Sequence, residues 1–429
     1  MKLVLEKTSK LTGNIFVPGD KSISHRSLIL GSISQGETRV YNLLNSLDCL
    51  RTLECMQSLG VKIELDEDNS VNIKGKGLYG LQESKVILDV GNSGTTIRLL
   101  TGLLSGQNFY SVLNGDNSIR KRPMKRVVQP LRLMGADIWG REDGHFAPLS
   151  IKGSQLNSFQ YTLPVASAQV KSALLLAGLY TTGETVISEP LSTRDHTERM
   201  LETMQGDIKI SPPEIKIKGG TELRSTNIFI PGDISSAAYF IAAASILKDS
   251  QITIKQAGVN PTRTGIIEML NKMGAKIDIL NYQIKSNEPQ ADLMIEYSKL
   301  KGVEIKKENI PFLIDELPLI AVAATQAQGK TVVSGARELR VKETDRIKAI
   351  VSELKKMGAD IKEKEDGFIV EGPSKLKGAV CESYNDHRIA MSLAVAALLA
   401  EGKTVIKNSE CIDISFPGFK KILQNLINF

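Results

Sequence analysis

Aromatic side chains make up only 5% of this 429-residue chain, and a single Trp is among them. Proteins that bind single-stranded nucleic acid stack bases on aromatics set among Lys and Arg. Here the prominent basic residues sit instead in turns rich in Gly, Ser and Pro, so no nucleic-acid partner is expected. Cysteine is equally scarce. Cys49, Cys55, Cys381 and Cys411 form no CxxC pair, and four scattered cysteines do not make a disulfide framework in a chain this long. The four histidines, His25, His145, His196 and His387, show no HExxH spacing. No metal site and no cofactor is therefore expected. No apolar run reaches 18 residues, and the N-terminus, Met1 to Lys7, lacks the apolar core of a signal peptide. The expected location is the cytoplasm, with no membrane association.

What remains is an ordinary globular composition, 41% apolar and 24% charged. The length exceeds what one core ordinarily supports, which points to two domains. The formal net charge of +6 fits anionic ligands but carries little weight alone.

The chain repeats itself, and repeats decide a fold before anything else does. A polar turn leading into a β-branched strand recurs at Gly36–Val40, Gly106–Val112, Gly183–Ile187, Asp249–Ile254, Gly329–Val333 and Gly402–Ile406. A second pattern, a helix closed by Gly and followed by a strand, recurs at Leu59-Gly60, Met134-Gly135, Gln205-Gly206, Met273-Gly274 and Met357-Gly358. Gly after the last turn is the expected helix cap. The two patterns interleave into a unit of about 70 residues, helix–strand–helix–strand–strand, present about six times with the last copy shortened. A coarser duplication lies above this one. Ile15-Phe16-Val17-Pro18-Gly19-Asp20 is echoed by Ile228-Phe229-Ile230-Pro231-Gly232-Asp233, half a chain later. Two matching breaks predict a chain that crosses between two three-repeat domains, one comprising 18–231 and the other joining 1–17 to 232–429.

The unusual residues fall where the repeated helices begin, and the free N–H groups of a helix start attract anions. Gly19–Ser27 supplies Lys21, Ser22 and Arg26. Gly91–Arg98 is a Gly-rich turn in which Thr95 can cap a helix. Arg120-Lys121-Arg122 precedes Pro123, a residue suited to the first helical position. Ala166–Ser172 places Ser167, Ala168, Gln169 and Lys171 ahead of an apolar run, and Thr193–Arg199 carries Arg194 and His196. Asp315-Glu316 lies between two apolar segments, where desolvation would raise a carboxylate pKa and make Asp315 a candidate base. Arg340–Arg346 holds Lys342 and Arg346 four apart, as on one helix face. Asn385-Asp386-His387-Arg388 opens the last apolar helix. Each segment alone also fits a bland alternative: a capped turn, a solvated basic loop, an acidic first turn. Together, Lys21, Arg122, Lys342, Arg346 and Arg388 occupy equivalent places in distant repeats. Such a set of cations suits ligands bearing phosphates and carboxylates.

These segments resemble the 5-enolpyruvylshikimate-3-phosphate synthase family over essentially the whole chain. The matching motifs are Gly-Asp-Lys-Ser-Ile-Ser-His-Arg at 19–26, Gly-Asn-Ser-Gly-Thr at 91–95 and Arg-Pro-Met at 122–124. They continue with Ser-Ala-Gln-Val-Lys at 167–171, Arg-Val-Lys-Glu-Thr-Asp-Arg at 340–346 and Asn-Asp-His-Arg at 385–388. The resemblance implies a two-domain inside-out α/β barrel of six βαβαββ repeats, three per domain, with the active site in the cleft between the domains. It implies a transferase of the shikimate pathway that uses phosphoenolpyruvate and shikimate 3-phosphate, acts as a monomer and is the kind of enzyme glyphosate targets. Matched residue by residue, Lys21, Gly94, Arg122 and Gln169 would hold the phosphate of phosphoenolpyruvate, and Arg346 and Arg388 its carboxylate. Lys21, Ser22, Arg26, Ser167, Ala168, Gln169, Arg194, Asp315 and Lys342 would hold shikimate 3-phosphate. Asp315 would serve as base, and Glu343, with Lys21, as proton donor.

Ser-Ala-Gln-Val-Lys, the Arg194–Glu198 segment and Asn260-Pro261-Thr262-Arg263 look like the subgroup called class II, which includes glyphosate-tolerant members. Gly94 points the other way, as the small residue associated with sensitivity. Two positions depart from the pattern: Ile414 stands where some members have a ligand-binding lysine, and Glu338 where some have an asparagine. Two rivals are weighed. The sister family, UDP-N-acetylglucosamine enolpyruvyl transferase, often carries a cysteine in the loop corresponding to 110–122, and none is present here. A non-catalytic anion-binding protein would have no need of Asp315, Lys342, Glu343, Arg346 and Arg388 together.

Overall fold

A computed structural model describes residues 1–427. The chain divides into two compact units. One comprises Met1–Pro18, Pro231–Gln283 and the chain from Pro289 onward; the other comprises Gly19–Ile230 with the short turn Ile284–Glu288.

Two kinds of helix alternate along the chain. Lys21–Ser32, Gly94–Ser105, Ala168–Gly178, Ile234–Ile246, Leu317–Ala324 and His387–Ala397 are buried almost all round. Their Ala, Gly, Ser and Leu content explains this: small side chains let a helix pack on every face, and a helix without a polar side belongs inside. Each is named below by its first residue. Others, such as Lys125–Leu133, Gly265–Lys272 and Arg346–Lys356, are amphipathic and bury one face. Within each unit the inner helices pack on one another: the Gly94 helix on the Ala168 helix, and the Leu317 helix on the Ile234 and His387 helices. Each unit has its own continuous apolar core. Helices inside and sheets around them make each unit an inside-out α/β barrel.

The sheets follow one plan. Leu88–Asp89 runs parallel to Tyr110–Asn114 after the Gly94 helix, and the hairpin Asp137–Gly140/Phe146–Lys152 adds antiparallel to it. In chain order the strands of this sheet stand first–second–fourth–third, and three more sheets among the described residues share that order. The last repeat holds two strands of its own, Val380–Glu382 and Lys403–Lys407. Its third strand is Lys2–Glu6, antiparallel to Lys403–Lys407. The expected shortening of that repeat is thus made good by the start of the chain.

The two Pro-Gly breaks explain the half-chain echo. Thr12–Phe16 pairs in parallel with Gln251–Gly258, whereas the Lys21 helix that follows it belongs to the other unit. Asn227–Phe229 likewise pairs with Glu37–Tyr41, and the Ile234 helix that follows it belongs elsewhere. At both crossings the backbone is crowded. A Cβ on Gly19 would stand 2.0 Å from the Asn42 carbonyl oxygen, and one on Gly232 would stand 2.8 Å from a Val17 methyl.

Four local expectations need correction. Gly60, Gly135, Gly274 and Gly358 have the positive φ of a helix-terminating glycine, but in the third copy the left-handed residue is Gln205, with φ 61°, not Gly206. The Gly94 helix is capped by Ser93, whose hydroxyl accepts the Thr96 N–H; Thr95 lies inside the first turn. Pro123 is outside the helix it precedes, which begins at Lys125. Lys342 is not helical: it follows the 3-10 turn Arg337–Val341, and the next helix starts at Arg346 behind its cap Asp345.

Candidate functional site

In the unit containing Gly19–Ile230, most of the predicted ligands sit at the beginnings of three inner helices, capped by the side chains of Asp20, Ser93 and Ser167. Such caps fix the start of a helix and hold its remaining N–H groups in place.

Around Gly94 five predicted or neighbouring residues converge. Arg98 donates to Gln169 Oε1 (2.7 Å) and to the Gly94 carbonyl (3.3 Å), and Gln169 donates to Thr95 Oγ1 (3.0 Å). Arg122 donates to Asn92 Oδ1 (3.0 Å). A Cβ on Gly94 would meet Arg122 Nη1 at 2.8 Å and Arg98 Nη1 at 2.9 Å. Two guanidinium groups and a helix N-terminus thus border one small area of backbone, a setting suited to a phosphate.

The second cluster surrounds the Lys21 helix. Lys21 pairs with Asp48. Arg26 is buried, and its guanidinium is spread over Thr197 Oγ1 (2.6 Å), Ser172 Oγ (2.6 Å) and the Ser22 carbonyl (2.8 Å). Burial lowers its pKa to about 10, opposed by the charges of Glu198 and Asp20, so it stays charged at neutral pH. Ser22 lies in the first turn beside Lys21, and Ser167 and Ala168 open the Ala168 helix. Arg194 lies in the loop before the helix His196–Thr203.

A buried chain of hydroxyls links these helix starts. His25 Nδ1 is 2.7 Å from Thr52 Oγ1, which is 2.7 Å from Thr96 Oγ1, and Thr96 donates to Ser93 Oγ at 2.6 Å. Because Thr96 donates onward, Thr52 must donate to Thr96, and His25 must supply the proton to Thr52. That assigns the neutral Nδ1–H tautomer. Burial, followed by the charges of Lys21 and Arg26, holds the His25 pKa well below its usual value, in keeping with a neutral ring.

In the other unit, the acid predicted from its place between apolar segments is where the cations gather. Asp315 occupies a 3-10 turn, Ile314–Glu316. Its Oδ1 is 3.1 Å from Arg346 Nη1 and 3.6 Å from Lys342 Nζ; its Oδ2 is 3.7 Å from Arg388 Nη2. The environment therefore differs from the expected one. Asp315 is not an acid set among apolar groups but a carboxylate facing three cations.

Arg346 organises this cluster. It is 1% exposed and meets three carboxylates: Glu343 at 2.5 Å, Asp386 at 2.7 Å and Asp315 at 3.1 Å. Burial works against its charge, but Asp386, Glu343 and Asp315 outweigh it, and the guanidinium pKa is raised. Arg388 donates to Glu316 Oε1 (3.4 Å); burial opposes its charge too, and Asp315, Tyr239 and Glu316 raise its pKa well above the ordinary value. Asp386 has two tasks, capping the His387 helix through the Arg388 N–H and accepting from Arg346. All five predicted residues of this unit, Asp315, Lys342, Glu343, Arg346 and Arg388, are brought together.

Comparison with known proteins shows the family. The family model described as EPSP synthase (3-phosphoshikimate 1-carboxyvinyltransferase) matches residues 5–423. The chain belongs to the EPSP synthase family. It is 52% identical to a 3-phosphoshikimate 1-carboxyvinyltransferase of Petrotoga mobilis, with 99% of each chain covered. It is also 52% identical to the protein of that name from Bacillus cereus, with 97% of each covered. Among solved structures it resembles EPSP synthase from Acinetobacter baumannii, with a TM-score of 0.89, 45% identity and 99% and 98% coverage. The enolpyruvyl transferase NikO from Streptomyces tendae, at 18% identity and a TM-score of 0.82, shares the fold. As a member of this family the chain is a transferase.

Several residues of these clusters escaped the sequence reading. Arg98 lay inside a quoted motif, but nothing marked it as more than a helical arginine. Asp48, Glu189 and Glu198 become visible only once folding brings them to Lys21 and Lys171. Asp386 could have been found, since an Asp directly before an apolar helix is a cap signal. At the departures from the family pattern, Ile414 packs partly buried against the core, and Glu338 lies half-buried in the 3-10 turn before Lys342. Among the described residues no group of three or more His, Cys, Asp or Glu is disposed to hold a metal ion, and no helix is long and apolar enough to cross a membrane.

Proposed function

We propose that this chain transfers the enolpyruvyl group of phosphoenolpyruvate to the 5-hydroxyl of shikimate 3-phosphate, releasing phosphate, in aromatic amino-acid biosynthesis. The observation that carries the reading is the Asp315 carboxylate ringed by Lys342, Arg346 and Arg388. A carboxylate base set among cations suits a reaction between two anionic substrates, because the same cations attract the substrates and offset charge that develops during transfer.

In this mechanism Asp315 takes the 5-hydroxyl proton as that oxygen attacks the central carbon of phosphoenolpyruvate. Glu343, with Lys21, delivers a proton to the methylene carbon. The resulting tetrahedral adduct loses a methyl proton and phosphate, which restores the double bond. Arg346 and Arg388 bind the carboxylate of phosphoenolpyruvate. A substrate carboxylate on Arg346 competes with Glu343 for that guanidinium, which frees Glu343 to carry a proton. Lys21, Arg122, Gln169 and the Gly94 backbone bind the phosphate of phosphoenolpyruvate. Ser22, Arg26, Ser167, Ala168, Gln169, Arg194, Asp315 and Lys342, together with Lys21, bind shikimate 3-phosphate. Part of the same proposal is a cytoplasmic monomer working without metal or cofactor.

The test is phosphate release from phosphoenolpyruvate in excess chelator, with shikimate 3-phosphate and UDP-N-acetylglucosamine compared as acceptors. Release with shikimate 3-phosphate alone is expected; release with the nucleotide sugar alone would overturn the assignment. Gly94→Ala supplies a local check. Its methyl group would stand 2.8 Å from Arg122 Nη1, forcing that cation outward. The expected result is a KM for phosphoenolpyruvate raised roughly tenfold, with the KM for shikimate 3-phosphate within about twofold of wild type. Equal changes in both constants would move Arg122 away from the phosphate of phosphoenolpyruvate.

A further inference from the structure

Lys171 lies in the first turns of the Ala168 helix with its side chain fully buried. A lysine that deep is costly, and an apolar residue of similar volume would pack there with no desolvation cost. Its partners show what the charge accomplishes. The ammonium is 2.6 Å from Glu198 Oε1, 2.8 Å from Glu189 Oε1 and 3.4 Å from the Thr193 carbonyl oxygen. Glu189 directly follows the strand Glu184–Ser188, and Glu198 lies in the first turn of the helix His196–Thr203. Thr193 is between them, and its hydroxyl donates to the second oxygen of Glu189 at 2.8 Å. One ammonium therefore fastens the start, the middle and the end of the connection 189–198, the segment that carries Arg194.

The same contacts reach Arg26. Thr197 accepts from Arg26 Nε and shares a hydrogen bond with Ser172 Oγ (2.7 Å), and Ser172 accepts from Arg26 Nη2. Ser172 is the neighbour of Lys171, and Thr197 that of Glu198. The charges balance, with Lys171 and Arg26 against Glu189 and Glu198. Burial raises the Glu198 pKa despite Lys171, so this carboxylate is poorly placed to stay ionised without the ammonium. Lys171 itself has no exposed surface and its donors are turned to protein, so it cannot be a substrate ligand.

We propose that Lys171 is a positioning residue that sets Arg194 and Arg26 in place and thereby controls the grip on shikimate 3-phosphate. The inference rests on the function proposed above and adds to it a buried residue that determines the affinity for one of the two substrates. It is tested with Lys171→Met and the charge-balanced pair Lys171→Met/Glu198→Gln, assayed by phosphate release as each substrate is varied. Both variants should raise the KM for shikimate 3-phosphate at least about tenfold and leave that for phosphoenolpyruvate within about twofold. The pair should recover part of the thermal stability relative to the single change, because it removes the more buried of the two stranded carboxylates and leaves Glu189 the Thr193 hydroxyl as a donor, yet keep the raised KM. A role in stability alone predicts the reverse, with less active protein and unmoved KM values. If Lys171→Met does not fold, the pair decides. The inference is overturned if the folded variants bind shikimate 3-phosphate as the wild type does, or if the pair restores its KM, which would reduce Lys171 to a counter-charge. Wild-type protein that releases no phosphate with shikimate 3-phosphate would overturn the functional reading itself, whereas an active wild type beside unaffected variants overturns this inference alone.

Discussion

Asp315→Asn should lower kcat by about 100- to 10,000-fold, the usual contribution of a positioned general base. The substitution keeps the shape of the side chain, so the 3-10 turn Ile314–Glu316 has no steric reason to move. What it removes is a proton acceptor and one negative charge among Lys342, Arg346 and Arg388. Both substrates are anions, and the three cations then have one fewer internal partner. The KM for phosphoenolpyruvate should accordingly stay level or fall while kcat collapses. That combination separates a base from a scaffold residue. If Asp315 only held the cations in place, its loss would scatter them and the KM would rise along with any fall in kcat. Steady-state kinetics on the purified variant decide the matter, and a kcat within tenfold of wild type would remove Asp315 as the base.

The features legible in the sequence share a physical cause. The sixfold repeat could be read because each copy must bury one apolar helix and end another in a tight turn, and those needs leave small residues and glycines at regular spacing. The duplicated Pro-Gly could be read because a Cβ at Gly19 or Gly232 would collide with neighbouring atoms. Cations at helix starts stood out because charge next to a buried helix is costly unless something compensates it. The hidden features depend on contacts between distant residues. No local pattern says that Asp48 answers Lys21, that Asp386 answers Arg346 across forty residues, or that Glu189 and Glu198 enclose Lys171. The reading of Asp315 shows the limit. Apolar flanks singled out the residue but suggested the wrong surroundings, because the cations that face it come from other segments of the chain. Gln205 shows a smaller one: a glycine one place late in the repeat was read as the cap, while the backbone turned at the residue before it.

Arg346→Met should be the most disruptive single change in the Asp315 cluster, and for two separable reasons. The first is stability. Removing this buried cation leaves Asp386, Glu343 and Asp315 facing one another with their common partner gone, and breaking a buried pair from one side costs about 3–5 kcal/mol. The loss should show as a clear fall in thermal denaturation temperature. Arg346→Lys should recover little of it, because a single ammonium cannot reproduce a planar fork that reaches three carboxylates at once. Adding Asp386→Asn to Arg346→Met should restore part of the stability, since it removes the most buried of the stranded charges while an amide oxygen can still cap the His387 helix. The second reason is chemistry. Without Arg346 the carboxylate of phosphoenolpyruvate loses one of its two proposed partners, so kcat/KM for that substrate should fall on the order of 100-fold or more, and Asp386→Asn should not bring it back. Stability that recovers while activity does not is the signature of a residue serving both the fold and the substrate. If the double variant regained both, Arg346 would be a structural counter-ion, and the carboxylate of phosphoenolpyruvate would fall to Arg388 alone.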